Sequence, residues 1–215
     1  MAAVTREPGD MPQRDQAVST PGSVAAGFAD PGPLGLAAFA ATTFLLSCVN
    51  AGLLPVTVEG AVFGLAFFYG GLAQLLAGMW EFVKGNTFGA LAFSSYGAFW
   101  LSFWYLASHL ATDAPKASAG DLNKAVGTYL LVWTIFTVFM LVASIRTSGA
   151  IAAVFFVLTL TFAFLTAGKY GDSTAMTHIG GWLGLITAVL AWYTSFAGVF
   201  NSTAKRAVLP TWPRA

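Results

Sequence analysis

The chain has 215 residues, of which 57% are hydrophobic and 9% charged, and its net charge is +1. A soluble domain carries roughly 25% charged residues, so folding around one soluble core with almost no charged surface is excluded. The small net charge gives no footprint for nucleic acid, and the single cysteine, Cys48, excludes an intramolecular disulfide.

Residues 1–29 contain Pro8, Pro12, Pro21, Gly9, Gly22 and Gly27 among mixed charges, with no apolar period. They read as a flexible cytoplasmic tail, and no short apolar segment follows a basic start as it would in a secretory signal. Beyond Asp30 the charges disappear from six long stretches: Asp30 to Glu59, Glu59 to Glu81, Lys84 to His109, Lys124 to Arg146, Arg146 to Lys169 and His178 to Lys205. Each stretch is 21 to 28 residues long, enough for a helix to cross the hydrocarbon core, which takes roughly 17–25. A charge at the centre of such a helix costs about 2.5–3.5 kcal/mol on insertion scales. The pattern predicts an all-α, multi-pass membrane protein with spans near 34–54, 60–83, 88–108, 124–145, 149–168 and 177–201. The transmembrane domain covers 30–204, and 205–215 forms a short cytoplasmic tail.

Six spans put both termini on one side of the membrane. That side holds Arg6, Arg14, Lys84, Arg146, Lys205, Arg206 and Arg214, seven of the ten basic residues. Basic loops stay in the cytoplasm, so both termini are expected there, with the plasma membrane as the location.

Span two places glycine at every seventh position, Gly64, Gly71, Gly78 and then Gly85. Small residues in lipid mark faces where helices approach closely, so a packing seam is the plain reading. Gln74 and Glu81 follow two of these glycines by three residues and fall on the same side, where they could line a polar path. Glu81 is also one turn from Lys84, so an ion pair, a helix-end carboxylate facing water and a proton-carrying role all fit it. In span three, Ser94, Ala98 and Ser102 form a second small-residue stripe. Tyr96 lies deeper than an interfacial tyrosine should, and a buried phenol needs a partner. His109 and His178 sit at loop edges with no metal-ligand spacing. No nucleophile–base pair, phosphate loop or redox motif is present, so neither an enzyme nor a cofactor is expected.

Asp30-Pro31-Gly32-Pro33-Leu34-Gly35-Leu36 at the start of span one resembles the NPAPLGL signature of the acetate uptake transporter family. The resemblance continues at Phe39, Thr42-Thr43, Asn50-Ala51-Gly52, Phe68-Tyr69-Gly70-Gly71-Leu72-Ala73-Gln74 and Glu81. It resumes at Lys84-Gly85-Asn86-Thr87-Phe88-Gly89 and Ser95-Tyr96-Gly97-Ala98-Phe99-Trp100, with weaker echoes at 155–159 and 208–210. It implies six helices with a pore in each subunit, a homo-hexameric ring, and uptake of acetate and in some members succinate. It also implies a narrow point at Phe39, Tyr96 and Leu158. Asp30 stands where the signature has asparagine, and Gly32 where it has alanine. Val49 replaces a histidine that often precedes the Asn-Ala-Gly element.

No lysine or arginine lies inside a span to hold a carboxylate. Carrying a bare carboxylate through a dry pore costs several kcal/mol. Two routes follow: passage as a neutral acid or with a proton, or neutral donors and helix amino-termini replacing its water. The donors expected along the path are Thr42, Thr43, Asn50, Gln74, Ser94, Ser95 and Tyr96. The helix start at Asp30, Pro31, Pro33 and Gly35 is an expected anion-attracting mouth. The expectation is a channel or proton-linked transporter for small carboxylates, acting in the lipid bilayer. The alternatives are a transporter of another small solute such as ammonium, and a membrane sensor signalling through the tail.

Overall fold

The computed structural model describes residues 27–214, so the expected tail lies outside the described residues except for its last three. Of those, Phe28 makes contacts: it packs on Trp80 with ring centroids 5.4 Å apart, and the Lys84 ammonium donates to the Phe28 carbonyl at 3.3 Å. The described residues form six long helices. They are α1 (Gly32–Asn50), α2 in three joined parts (Ala61–Gly64, Leu65–Ala73 and Gln74–Val83), α3 (Thr87–Asp113), α4 (Ala119–Ser144), α5 (Gly149–Tyr170) and α6 (Thr174–Ala204).

Five of these pass as membrane spans by length and apolarity. The exception, α3, has 27 residues, about 40 Å at 1.5 Å per residue, and is easily long enough. Its serines, Tyr96 and Tyr105 dilute its apolar content.

Three boundaries differ most from the charge-gap reading. α1 ends at Asn50 rather than near 54, because Gly52 adopts φ +76°. The Leu53 and Leu54 amides then both reach back to the Cys48 carbonyl, at 2.9 and 3.1 Å, a left-handed helix closure that glycine permits. α3 continues to Asp113, and α4 starts at Ala119 on a capping box. Ser118 Oγ accepts the Asp121 amide at 3.2 Å, and the Asp121 carboxylate accepts the Ser118 amide at 3.3 Å. The expected loop 109–123 therefore shrinks to residues 114–118. Gaps between charges mark the hydrocarbon crossing, and a helix need not stop where the hydrocarbon does.

The middle of α2, Leu65–Ala73, is a nine-residue π-helix. Its wider turn shifts the phase of the helix. Gly64 consequently faces open space, with nothing within 4 Å of where a Cβ would stand. Gly70 turns to α1, where a Cβ would sit 2.5 Å from Thr42 Oγ1, and Gly78 turns to α3, 2.5 Å from the Ser94 amide nitrogen. Gly71 turns to Leu101 of α3, so the seam expected from the heptad glycines exists at Gly71 and Gly78 but not at Gly64 or Gly85, where a Cβ would meet nothing within 4 Å.

Neighbouring helices run antiparallel in one closed ring, in the order α1, α6, α5, α4, α3, α2. Ser195 Oγ on α6 donates to the Pro33 carbonyl at 2.6 Å. Thr161 and Thr187 meet between α5 and α6 at 3.3 Å, and Thr134 and Thr166 between α4 and α5 at 3.1 Å. α3 and α4 meet through aromatic rings, Phe99 against Tyr129 at 5.8 Å and against Trp133 at 5.1 Å. Hydroxyl pairs and small-residue contacts suit helices in lipid, where the hydrophobic effect does not drive helix against helix. After α6 the chain turns back, and residues 207–214 lie across the start of α5, with the Gly149 amide donating to the Trp212 carbonyl at 2.8 Å.

Candidate functional site: two cavities and the apolar plug between them

The ring encloses two cavities. The terminus-side cavity, of about 350 Å³, lies among the start of α1, the end of α2 and the starts of α3 and α5. The far-side cavity, of about 760 Å³, opens beside the 51–59 turn and the α5–α6 connection. Phe39 and Leu158 are the two residues that line both. Tyr96 lines the terminus-side cavity and stands against Phe39 with ring centroids 5.7 Å apart. Phe39, Tyr96 and Leu158 are each at most 5% exposed. The three residues matched to the family's narrow point, which come from three different helices, are thus brought together.

The Tyr96 hydroxyl points out of this arrangement. Thr137 gives its proton to the Trp133 carbonyl at 2.6 Å, so the 2.9 Å contact between Tyr96 and Thr137 is a donation from the phenol. Tyr96 therefore presents its ring to the plug, and its hydroxyl fastens α3 to α4. The plug itself is two aromatic rings and a leucine side chain.

The other expected path residues divide into three groups. Gln74 lines the terminus-side cavity, and its Oε1 is sealed with no hydrogen-bond partner. Thr43 and Asn50 line the far-side cavity, with Thr43 Oγ1 likewise sealed and unpartnered. Thr42, Ser94 and Ser95 line neither. Thr42 donates to the Ala38 carbonyl at 2.9 Å and packs on Gly70; Ser94 packs on Gly78; Ser95 is half-buried. Close glycine contacts, rather than a solute, occupy the first two.

The α1 start also differs from an open anion trap. The Asp30 carboxylate accepts the Gly32 amide at 3.0 Å, so the chain's own anion takes that donor. Pro33 and Asp30 line the cavity, whereas Gly35 is pressed against the Phe93 ring, 2.6 Å from where its Cβ would stand. Pro31 precedes the helix as its cap. Glu81 is 2% exposed, lines the same cavity and accepts the Asn86 side-chain amide at 2.9 Å. A Cβ on Gly32 would lie 3.2 Å from Asp30 Oδ1 and 3.5 Å from Glu81 Oε1, so the two carboxylates flank that glycine.

Sequence reading alone did not bring Thr147, Thr194 and Thr211 to the terminus-side cavity, nor Lys169 and His178 to the far-side one. Lys169 and His178 carried a signal, as polar groups just outside apolar runs. Thr211 carried none, because only the returning chain brings it there.

These features define a polytopic all-α membrane protein whose helix ring holds two cavities separated by an apolar plug. The profile of the GPR1/FUN34/yaaH family matches residues 17–214, and the chain belongs to that family. Over 185 residues it is 41% identical to the succinate-acetate/proton symporter SatP of Escherichia coli K12, covering 85% of this chain and 94% of the symporter. It is 44% identical over 174 residues to ammonia transport outward protein 2 of Saccharomyces cerevisiae, covering 80% of this chain. The chain spans 62% of that yeast relative's length. The solved structure of the bacterial acetate channel SatP superposes with a TM-score of 0.77 at 38% identity, covering 86% of this chain and 99% of that one.

Proposed function

We propose that the protein passes small carboxylates, chiefly acetate and also succinate, from one cavity to the other through the Phe39–Tyr96–Leu158 plug. The observation that carries this reading is that Phe39 and Leu158, alone among the described residues, line both cavities, in a chain similar over most of its length to an acetate channel and a succinate-acetate/proton symporter. With no cation in the plug, a carboxylate there would be both dehydrated and unpaired, at a cost of several kcal/mol. A neutral acid avoids that cost, and a methyl group fits against Phe39 and Leu158. The acid therefore crosses protonated. Thr43 and Asn50 offer neutral donors on one side and Gln74 on the other. Glu81, beside Asp30, is placed to hold the proton as the acid leaves the plug.

The basic residues at Lys84, Arg146, Lys205, Arg206 and Arg214 favour a cytoplasmic terminus side in a plasma membrane. Six copies in a ring, each with its own pore, is the assembly that the family resemblance favours. Labelled acetate uptake into proteoliposomes at several pH values tests the reading. Uptake should rise as pH falls, because the neutral fraction of the acid grows; no uptake above empty vesicles at any pH overturns it. Ammonium is a second reading, favoured by the yeast relative's name and by the two carboxylates of the terminus-side cavity. Transport of labelled methylammonium without acetate transport would select it.

A further inference from the structure

The returning carboxy-terminal segment is tied down at both of its ends. Asn201 on α6 accepts the Val208 and Leu209 amides through Oδ1, both at 2.8 Å, and donates to the Leu209 carbonyl at 2.8 Å. The Tyr193 hydroxyl donates to the Pro210 carbonyl at 2.7 Å. Further on, the Gly149 and Ala150 amides of α5 donate to the Trp212 and Thr211 carbonyls at 2.8 and 3.2 Å, and the Arg214 amide donates to the Thr147 carbonyl at 2.9 Å. The segment thereby satisfies amides at the start of α5 that have no partner within the helix. Thr211, itself one of these ties through its carbonyl, forms part of the wall of the terminus-side cavity, next to Thr147 and Ser148.

The attachment is largely polar. Val208 and Trp212 remain 44% and 58% exposed, and Leu209 is half-buried, so apolar burial anchors the segment at Leu209 alone among these three. Trp212 is held at φ +50°, a left-handed conformation that non-glycine residues adopt at a cost. A segment that is hydrogen-bonded, strained at one residue and thinly buried has low local stability, as mobile lids do. Its one cavity-facing residue sits at the smaller of the two cavities.

We propose that residues 207–214 form a latched flap that narrows the mouth of the terminus-side cavity on its α5–α6 side, and that Asn201 is the positioning residue that latches it. Docked, the flap walls the mouth with Thr211. Released, it leaves that side open and frees the first amides of α5. The flap's effect on flux rests on the carboxylate reading; its effect on access does not.

Access is read directly by a thiol placed in the cavity with Thr194→Cys in a Cys48→Ala background, because Thr194 lines the same cavity. Full-length protein in vesicles is treated from the terminus side with a small methanethiosulfonate and with a bulky biotin-maleimide. Asn201→Ala should raise the bulky-reagent rate at least tenfold and the small-reagent rate less than threefold. Asn201→Asp keeps the two-amide acceptor and should give a smaller rise. Tyr193→Phe removes a single tie and provides a milder variant if Asn201→Ala does not fold. Unchanged bulky-reagent rates in folded Asn201→Ala, or in folded Tyr193→Phe together with a chain ended after Arg206, overturn the flap. Wild-type vesicles that carry no acetate while these rates still shift would sink the carboxylate reading and leave the flap standing.

Discussion

The two cavities differ in charge as well as in size. The terminus-side cavity is lined by Asp30 and Glu81, and among the described residues its lining includes no lysine, arginine or histidine. The far-side cavity is about twice as large and sets Lys169 and His178 against Glu59 and Asp172. Lysine charge at a mouth draws anions toward it, and paired carboxylates repel them. With two carboxylates against one lysine, the far side repels an anion less than the terminus side, where the lining sets no cation opposite Asp30 and Glu81 among the described residues. The plug between carries no charge at all. One chain can therefore hold two different electrostatic environments about a single barrier, without placing a cation where the hydrocarbon would penalise it.

The largest test of this comparison removes the partition. Leu158→Ala, alone or with Phe39→Ala, should merge the cavities and raise flux of longer monocarboxylates relative to acetate by about tenfold, equivalent to about 1.4 kcal/mol of discrimination. Competition assays with acids of increasing chain length check it, and unchanged selectivity would mean the barrier lies elsewhere. The second test equalises the charge. Asp30→Asn removes one of two carboxylates that flank Gly32. Two unit charges about 6 Å apart at an effective dielectric near 20 interact by about 2–3 kcal/mol. Acetate affinity from the terminus side should rise about three- to tenfold, with far-side affinity unchanged, as measured by efflux and uptake KM in oriented vesicles.

The third test acts on the other side. Lys169→Gln should raise the far-side KM about two- to threefold at low ionic strength. The effect should fade toward 0.15 M salt, where the screening length is about 8 Å. The smallest functional effect is expected from Thr137→Val, which lines neither cavity but leaves the Tyr96 phenol without its acceptor. An unpaired buried hydroxyl costs about 1–3 kcal/mol, so the melting temperature in detergent should fall while acetate remains preferred over longer acids. A collapse of selectivity would give the Tyr96 hydroxyl a direct part in the plug.

Particular residues show how far reading the chain alone could reach. Phe39, Tyr96 and Leu158 were legible through the family resemblance, and the fold brings them together. Thr42 and Ser94 looked like donors because they are polar and lie within spans. They are instead packed against Gly70 and Gly78, a pairing between helices that no single-helix periodicity contains. Gly64 was drawn into the seam by its heptad spacing and left it because Leu65–Ala73 winds as a π-helix. The Ser118–Asp121 capping box was readable as a local pattern, yet the charge-gap count passed over it, since the cap lies beyond the hydrocarbon.

By itself the sequence determined the number of crossings and the absence of any cation within them. Both follow from the insertion cost of each charge, which depends on local composition alone. Only the tertiary structure decided which polar residues face a cavity, which way the Tyr96 hydroxyl points, and that residues 207–214 wall one mouth. Those outcomes depend on close approach between segments far apart in the chain, where a hydroxyl on one helix finds a glycine, a carbonyl or a cavity on another.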